Sequence, residues 1–210
     1  MKKIFVLSVL LGVTVSASAQ IEIRPDHPRI FFNADTWPAI KEKAYGENRA
    51  YLDKLLDEVE NGLSLALVSD AGTPSVADPG FLLVRSALER GLEPIVVPGV
   101  SAVTFSVTAS GLPVDSFTFR NFAPVKPGKK GKFLESILAD TRTSFFFESP
   151  FRIGRTLKEI AAISPEAKVA VIREATKLHE EILRGTAAEL AAVERQWKGE
   201  IVVGVYPAAE

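Results

Sequence analysis

From residue 62 onward, short apolar runs take turns with segments whose apolar residues recur at helical spacing. This alternation constrains the fold more than any other feature of the chain. Residues 63–68, 93–97, 116–122, 143–148, 168–173 and 201–205 read as strands. Between them a helix is expected from Pro79 to Gly91 with Asp78 as its cap, and others over 101–110, 132–139, 152–163 and 187–197. Strands interleaved with helices build an α/β architecture around a parallel or mixed sheet. At 210 residues and 47% hydrophobic content there is ample material for a core. The chain has no Cys, which excludes disulfides and thiolate metal sites. His27 and His179 have no partner at ligand spacing, so no metal is expected.

The first 61 residues have a different texture. Lys2 and Lys3 precede an apolar run over 4–15, and Ala17-Ser18-Ala19 follows it. This pattern reads as a secretory signal peptide over 1–19, too short for a comfortable membrane span; a buried N-terminal strand or helix is the other reading. Next comes "HPRIFFNADTWPAIKEKAYGENRAYLDKLLDEVE", compatible with one or two amphipathic helices. It resembles the N-terminal edge of secreted heparinase II/III-like polysaccharide lyases, a likeness that implies ancestry of residues 20–61 and not lyase activity.

Several stretches carry chemistry. "SDAGTPSVADPG" and "PGVSA" each follow an expected strand, where open α/β sheets place ligands. Their glycines let backbone amides approach a ligand, and plain turn chemistry uses the same residues. "KPGKKGK" is expected to be a flexible cationic loop able to meet phosphates, or simply a solvated one. From residue 62 onward 17 Lys and Arg face 17 Asp and Glu, so any nucleic-acid contact must come from a local patch. In "FFFESPFRI" a strand ends in Glu148, which suits a functional carboxylate, a helix cap or a partner for arginine.

Taken in order, "SDAGTPSVADPG", "PGVSA", "SGLP", "FRNFAPVKPGKKGK", "FFFESPFR", "REATKLHEE", "RGT" and "GEIVVGV" resemble the small-subunit ribosomal RNA (cytidine-2′-O)-methyltransferase family of the tetrapyrrole methylase superfamily, over about residues 62–206. The resemblance implies two α/β subdomains with S-adenosylmethionine in the cleft between them. Ser69, Asp70, Ala71, Gly72, Thr73 and Pro74 would line the cofactor, with Pro98, Gly99, Val100, Ser101 and Ala102. A methyl group would pass to a cytidine 2′-hydroxyl of small-subunit ribosomal RNA by in-line displacement, which needs alignment and removal of a proton. Asp70, Glu148 and Lys177 are the ionisable candidates, with Glu148 or Lys177 nearest the attacking oxygen. Lys126, Lys129, Lys130, Arg152 and Arg155 are the candidate RNA contacts.

The family also opens with a strand, a glycine turn and an "EDTR"-like motif, for which residues 1–61 are expected to be a foreign substitute. The expectation is therefore a first subdomain over 62–115 that is N-terminally truncated and impaired, with an unpaired sheet edge, and a second subdomain over 116–210. The chain would be a chimera with its seam near residues 60–63. The methyltransferase resemblance implies the cytoplasm; the N-terminal pattern implies export. Two other readings stay open: a tetrapyrrole-ring methyltransferase, and an exported carbohydrate-associated protein carrying a methylase remnant. A homodimer is open as well.

Overall fold

The computed structural model describes residues 4–8, 49–69 and 72–208. The chain divides into two compact units, Met1–Gly99 and Val100–Glu210. The division falls upstream of residue 115, where the sequence reading drew it.

In the first unit the described elements are β1 (Ile4–Ser8), α1 (Arg49–Glu60), β2 (Leu65–Ser69), α2 (Phe81–Glu89) and β3 (Pro94–Val97). They form a parallel sheet in the order β2-β1-β3, with Ser8 opposite Ser69 and Leu7 opposite Val97. The expectation that the first strand is absent is therefore corrected. Part of the run read as an export signal supplies the middle strand, and its sequence IFVLS is the unbroken apolar type that a central parallel strand requires. Residues 9–48, which hold the rest of the expected signal and most of the lyase-like segment, lie outside the described residues.

The stretch expected as a seam is a helix-closing turn. Leu63 N–H donates to the Glu58 carbonyl and Gly62 N–H to that of Val59, with Gly62 at φ 103°. This is a Schellman arrangement, and glycine adopts the required positive φ without a Cβ penalty. Leu56 and Val59 of α1 are buried with Ala87 and Leu92 of the α2 region, and Leu65 of β2 packs on them. Arg90 donates to Asp57 at 2.6 Å and Asp53 at 2.7 Å on α1. One core therefore runs across residues 60–63.

The second unit contains α3 (Ala102–Ser110), β4 (Phe117–Phe122), α4 (Pro127–Leu138), β5 (Thr143–Glu148), α5 (Ile153–Ile163), β6 (Lys168–Arg173), β7 (Glu181–Thr186), α6 (Ala187–Ala191) and β8 (Ile201–Tyr206). Its sheet runs β4-β5-β8-β6-β7, with β4 and β5 parallel and the other pairs antiparallel. The last strand in sequence lies in the middle. Helices cover both faces. On one, Leu134 and Ile137 of α4 and Ile153, Leu157 and Ile160 of α5 meet Phe146, Val169, Val171 and Val203. On the other, Phe105 of α3 joins Phe145, Ala170, Ile172 and Val202. Successive residues of a strand point to opposite faces, so Phe145 and Phe146 anchor one core each.

Three local expectations change. The lysine-rich stretch expected as a loop forms the first turns of α4, opened by Pro127. β7, which the sequence reading missed, is a half-buried edge strand. The helix expected over 187–197 ends at Ala191. Among the described residues no helix is long and apolar enough to cross a membrane.

Gly204 of β8 lies at a close approach in the middle of the sheet. A Cβ there would stand 2.7 Å from the ring of the fully buried Phe145 and 3.0 Å from Leu112. Overpacking of this kind costs about 1–3 kcal/mol. Gly204→Ala is expected to lower stability by that amount in chemical denaturation, without loss of the fold.

Candidate functional site

The loops after β2 and β3 leave the same end of the first unit's sheet, on either side of β1. Strands lie about 4.8 Å apart, which sets the two loop origins roughly 10 Å from each other. The order β2-β1-β3 puts a topological switch point between β1 and β3, where open α/β sheets take ligands. The loop after β2 is tightly folded. Ser69 Oγ donates to Asp78 Oδ2 at 2.6 Å, so Asp78 pins the loop and does not cap α2 as expected. Gly80 is the N-cap of α2. Ser75 N–H donates to the Pro79 carbonyl, and Gly72, Ser75 and Ala77 all adopt positive φ. Gly80 has φ 143°, and a Cβ there would stand 2.7 Å from Leu67 and collide with Ser75. Asp70 and Ala71, both expected at the cofactor, lie outside the described residues, whereas Thr73 and Pro74 belong to this loop.

Pro98 and Gly99 follow β3, and Val100 leads to Ser101, the N-cap of α3, whose hydroxyl accepts from Val103 N–H at 3.3 Å. Ala102 begins the helix. The bare backbone at Gly99 and the small side chains at 101 and 102 leave room for a polar ligand beside the helix start.

At the end of β5 the structure brings together three expected site residues, and it engages them internally. Glu148, 3% exposed, accepts from Ser149 N–H at 2.7 Å through Oε1 and from Thr156 Oγ1 at 2.6 Å through Oε2. Arg152 Nη2 stands 2.8 Å from Oε1. Lys130, 4% exposed, donates to Thr156 Oγ1 at 2.6 Å and pairs with Glu159 at 3.1 Å and Glu148 at 3.6 Å. The cluster balances two cations against two carboxylates, which is how buried charge is tolerated. Burial pushes the Glu159 carboxyl up, and Lys130 and Arg155 outweigh that and hold it below its ordinary value.

Glu148 is engaged as the partner-for-arginine reading expects, and both its oxygens accept hydrogen bonds. One expectation is corrected. Lys130 is not presented to a phosphate, because its ammonium is interior. Lys126, Lys129 and Arg155 are exposed, whereas Arg152 is tied to Glu148. A signal for Lys130 was available in the sequence. Lys130, Leu134 and Ile137 follow helical spacing and share the buried face of α4.

Lys177 lies in the loop after β6, 41% exposed, 3.0 Å from Glu200 and 3.3 Å from Glu174. Partial burial lowers its pKa, but Glu200 and Glu174 outweigh burial and hold it above the ordinary 10.5. The loop is braced by Thr176 N–H donating to Glu180 at 2.6 Å and Glu200 N–H donating to Glu174 at 2.8 Å.

The sequence reading missed a cavity of about 400 Å³ beside the start of α5, lined by Arg155, Lys158, Arg195 and Trp197 among others. Arg195 stacks over the Trp197 ring at 4.5 Å and grips Glu181 with both terminal nitrogens, at 2.8 and 2.7 Å. Arg173 also reaches Glu181 at 2.9 Å. Among the described residues no group of three His, Asp or Glu converges as a metal site.

Two measurements test this geometry. Thr156→Val leaves Lys130 and Glu148 each short of a buried partner and is expected to cost about 1–3 kcal/mol in chemical denaturation. The Glu181 carboxyl is held at about 2, against an ordinary 4.5, mainly by hydrogen bonds from Arg195. The stability it contributes is present above pH 4.5 and is lost as the pH falls through 2. Glu181→Gln is therefore expected to destabilise the protein by about 1 kcal/mol at neutral pH, an exposure-discounted figure. The gap to the parent should close on acidification over that window.

The tetrapyrrole (corrin/porphyrin) methylase family model matches residues 9–191, and so takes in the stretch 9–61 expected to be foreign. The ribosomal RNA small subunit methyltransferase I of Mesorhizobium japonicum is 46% identical over 74% of this chain and 54% of its own length. That of Xylella fastidiosa is 41% identical over 82% and 65%, and that of Coprothermobacter proteolyticus 40% over 75% and 70%. The chain thus spans from about half to somewhat over two thirds of these relatives. Among solved structures, CobJ methyltransferase superposes with TM-score 0.56 at 24% identity, covering 77% of this chain and 73% of that one. Diphthine synthase gives 0.59 at 16%, covering 78% and 66%. Both share the fold. With a continuous core across the expected seam and a family match over most of its length, the chain belongs to the tetrapyrrole (corrin/porphyrin) methylases.

Proposed function

We propose that this protein is an S-adenosylmethionine-dependent methyltransferase that modifies a cytidine 2′-hydroxyl in small-subunit ribosomal RNA. The observation that carries this reading is the 40–46% identity to relatives named for that RNA. The loops after β2 and β3 fit such a cofactor. They lie at the carboxyl ends of parallel strands beside a switch point, and backbone is left bare at Gly72 and Gly99. S-adenosylmethionine would be held by Ser69, Gly72, Thr73, Pro74, Pro98 and Gly99 of the first unit, and it supplies an electrophilic methyl on its sulfonium. Asp70 and Ala71 complete the first loop in sequence.

The chain's own groups divide the remaining work. Glu148 positions: it holds Arg152 and the turn after β5. Glu200 and Glu174 favour the charged form of Lys177, which suits a hydrogen-bond donor better than a base. Its role is to donate a hydrogen bond to the attacking oxygen and to stabilise negative charge there as the proton leaves to water. Lys126, Lys129 and Arg155 supply cations for the RNA backbone.

Calorimetric titration of S-adenosylmethionine into the full chain is expected to show saturable heat. Radiolabelled methyl transfer is expected with small ribosomal subunits and not with porphyrinoid acceptors; the reverse preference would move the assignment to the tetrapyrrole ring. Lys177→Ala is expected to lower methyl transfer about a hundredfold, in line with removal of one preorganised donor. The pH–rate profile should show no break from this lysine below its ordinary value. Full turnover in Lys177→Ala would remove it from the mechanism.

A further inference from the structure

At one end of the second unit's sheet, large apolar side chains stand in solvent. Phe122 ends β4, Phe151 follows β5 at 95% exposure, and Leu178 follows β6 at 93%. The register places them at the same end. Phe122 pairs with Phe147, and Glu148 and Arg173 both stand opposite Ile201. Phe122 rests on Phe147, with ring centroids 5.1 Å apart. Phe151 has almost its whole surface in water.

The turn that carries Phe151 is not slack. Arg152 and Ile153 N–H groups both donate to the Ser149 carbonyl, Phe151 N–H donates to Ser149 Oγ, and Arg152 is ion-paired to the buried Glu148. An aromatic side chain presented from a braced backbone turn at so large an exposure is an exception to the burial of such side chains. Its surroundings are cationic. Residues 116–134 and 149–158 contain no Asp or Glu, and Lys126, Lys129, Arg155 and Lys158 are exposed within them; Arg155 is paired with Glu159 at 2.7 Å. The first turn of α5 continues into the cavity lined by Arg155, Lys158, Glu194, Arg195 and Trp197, where Arg195 is paired with Glu181.

We propose that this end of the second unit receives an unpaired stretch of RNA, with Phe151 as the platform on which one base stacks. Lys126, Arg155 and Lys158 contact the flanking phosphates. The inference rests on the RNA reading above and adds which residues hold the acceptor strand. Exposed rings beside exposed cations suit a base with its charged backbone; the core of a protein interface is depleted in charge. Bases inside a duplex have no free face to offer, so the strand must be unpaired at the platform.

The test is fluorescence anisotropy of a short labelled single-stranded RNA titrated with the full chain and its variants over a range of salt. Phe151→Ala is expected to weaken binding about tenfold. It should leave both the salt slope and the melting temperature unchanged, since the ring is neutral and almost fully exposed. Phe151→Trp is expected to restore binding. Lys126→Ala is expected to reduce the salt slope by about one. If the parent binds the RNA and Phe151→Ala binds within twofold of it, the platform is wrong and the methyltransferase reading stands. If Phe151→Ala loses affinity for intact small subunits and not for naked RNA, the ring meets a protein and the proposal is overturned. If the parent binds no RNA and methylates none, both readings fall together.

Discussion

The second unit is organised around a buried charge cluster: Lys130 and Thr156 hydrogen-bonded to one another, Glu148 accepting from Thr156, and Arg152 and Glu159 closing the set. The five members come from four places: Lys130 from α4, Glu148 from the end of β5, Arg152 from the turn after it, and Thr156 and Glu159 from α5. A buried ion without its partner is far more costly than the pair. The four segments must therefore arrive together, and once there they fix where α5 begins. That point sets the direction of Arg155 and the presentation of Phe151. The interior cluster and the exposed cations at the same end of the sheet are two sides of one arrangement.

The first unit uses a different device. Its sheet is short, and its tight loop after β2 is held by Ser69 on Asp78 and by close approach at Gly80. Two non-glycine residues of the second half of this loop, Ser75 and Ala77, have positive φ, which a solvated turn has no reason to maintain. Such backbone persists where the surroundings over-determine it. Here the constraint is the pairing of Ser75 with Pro79 and the seating of Gly80 over Leu67. The described part of the loop is thus shaped by the chain's own contacts.

The α/β class was legible in the sequence because apolar runs and helical spacing alternate so plainly from residue 62 onward. The two glycine-bearing loops were legible for the same reason, since each follows a strand. Lys130 was misread because a run of lysines usually marks a solvated face; composition outvoted the helical spacing that puts it in line with Leu134 and Ile137. Residues 4–8 were ambiguous in principle, because an unbroken apolar run serves an export signal and a central parallel strand equally well. β7 carried no clear alternation, as suits an edge strand that is half-buried along its length. Glu148 and Lys177 were singled out by motif, and an arginine partner for Glu148 was among the readings, but its engagement by Thr156 of α5 and Lys130 of α4 joins separate elements and is encoded by no local pattern.

The position of β8 has a consequence for how the protein is made. The last strand of the chain is the middle strand of its sheet, bonded to β5 on one side and β6 on the other. Until residues 201–206 emerge from the ribosome, β5 and β6 each keep an open edge along their most apolar stretches. The nascent second unit is thus two half-sheets waiting for a common bridge, and its cores on both faces close in a single late event. During that interval the half-sheets are exposed to other chains, and escape from aggregation depends on the speed of the final insertion.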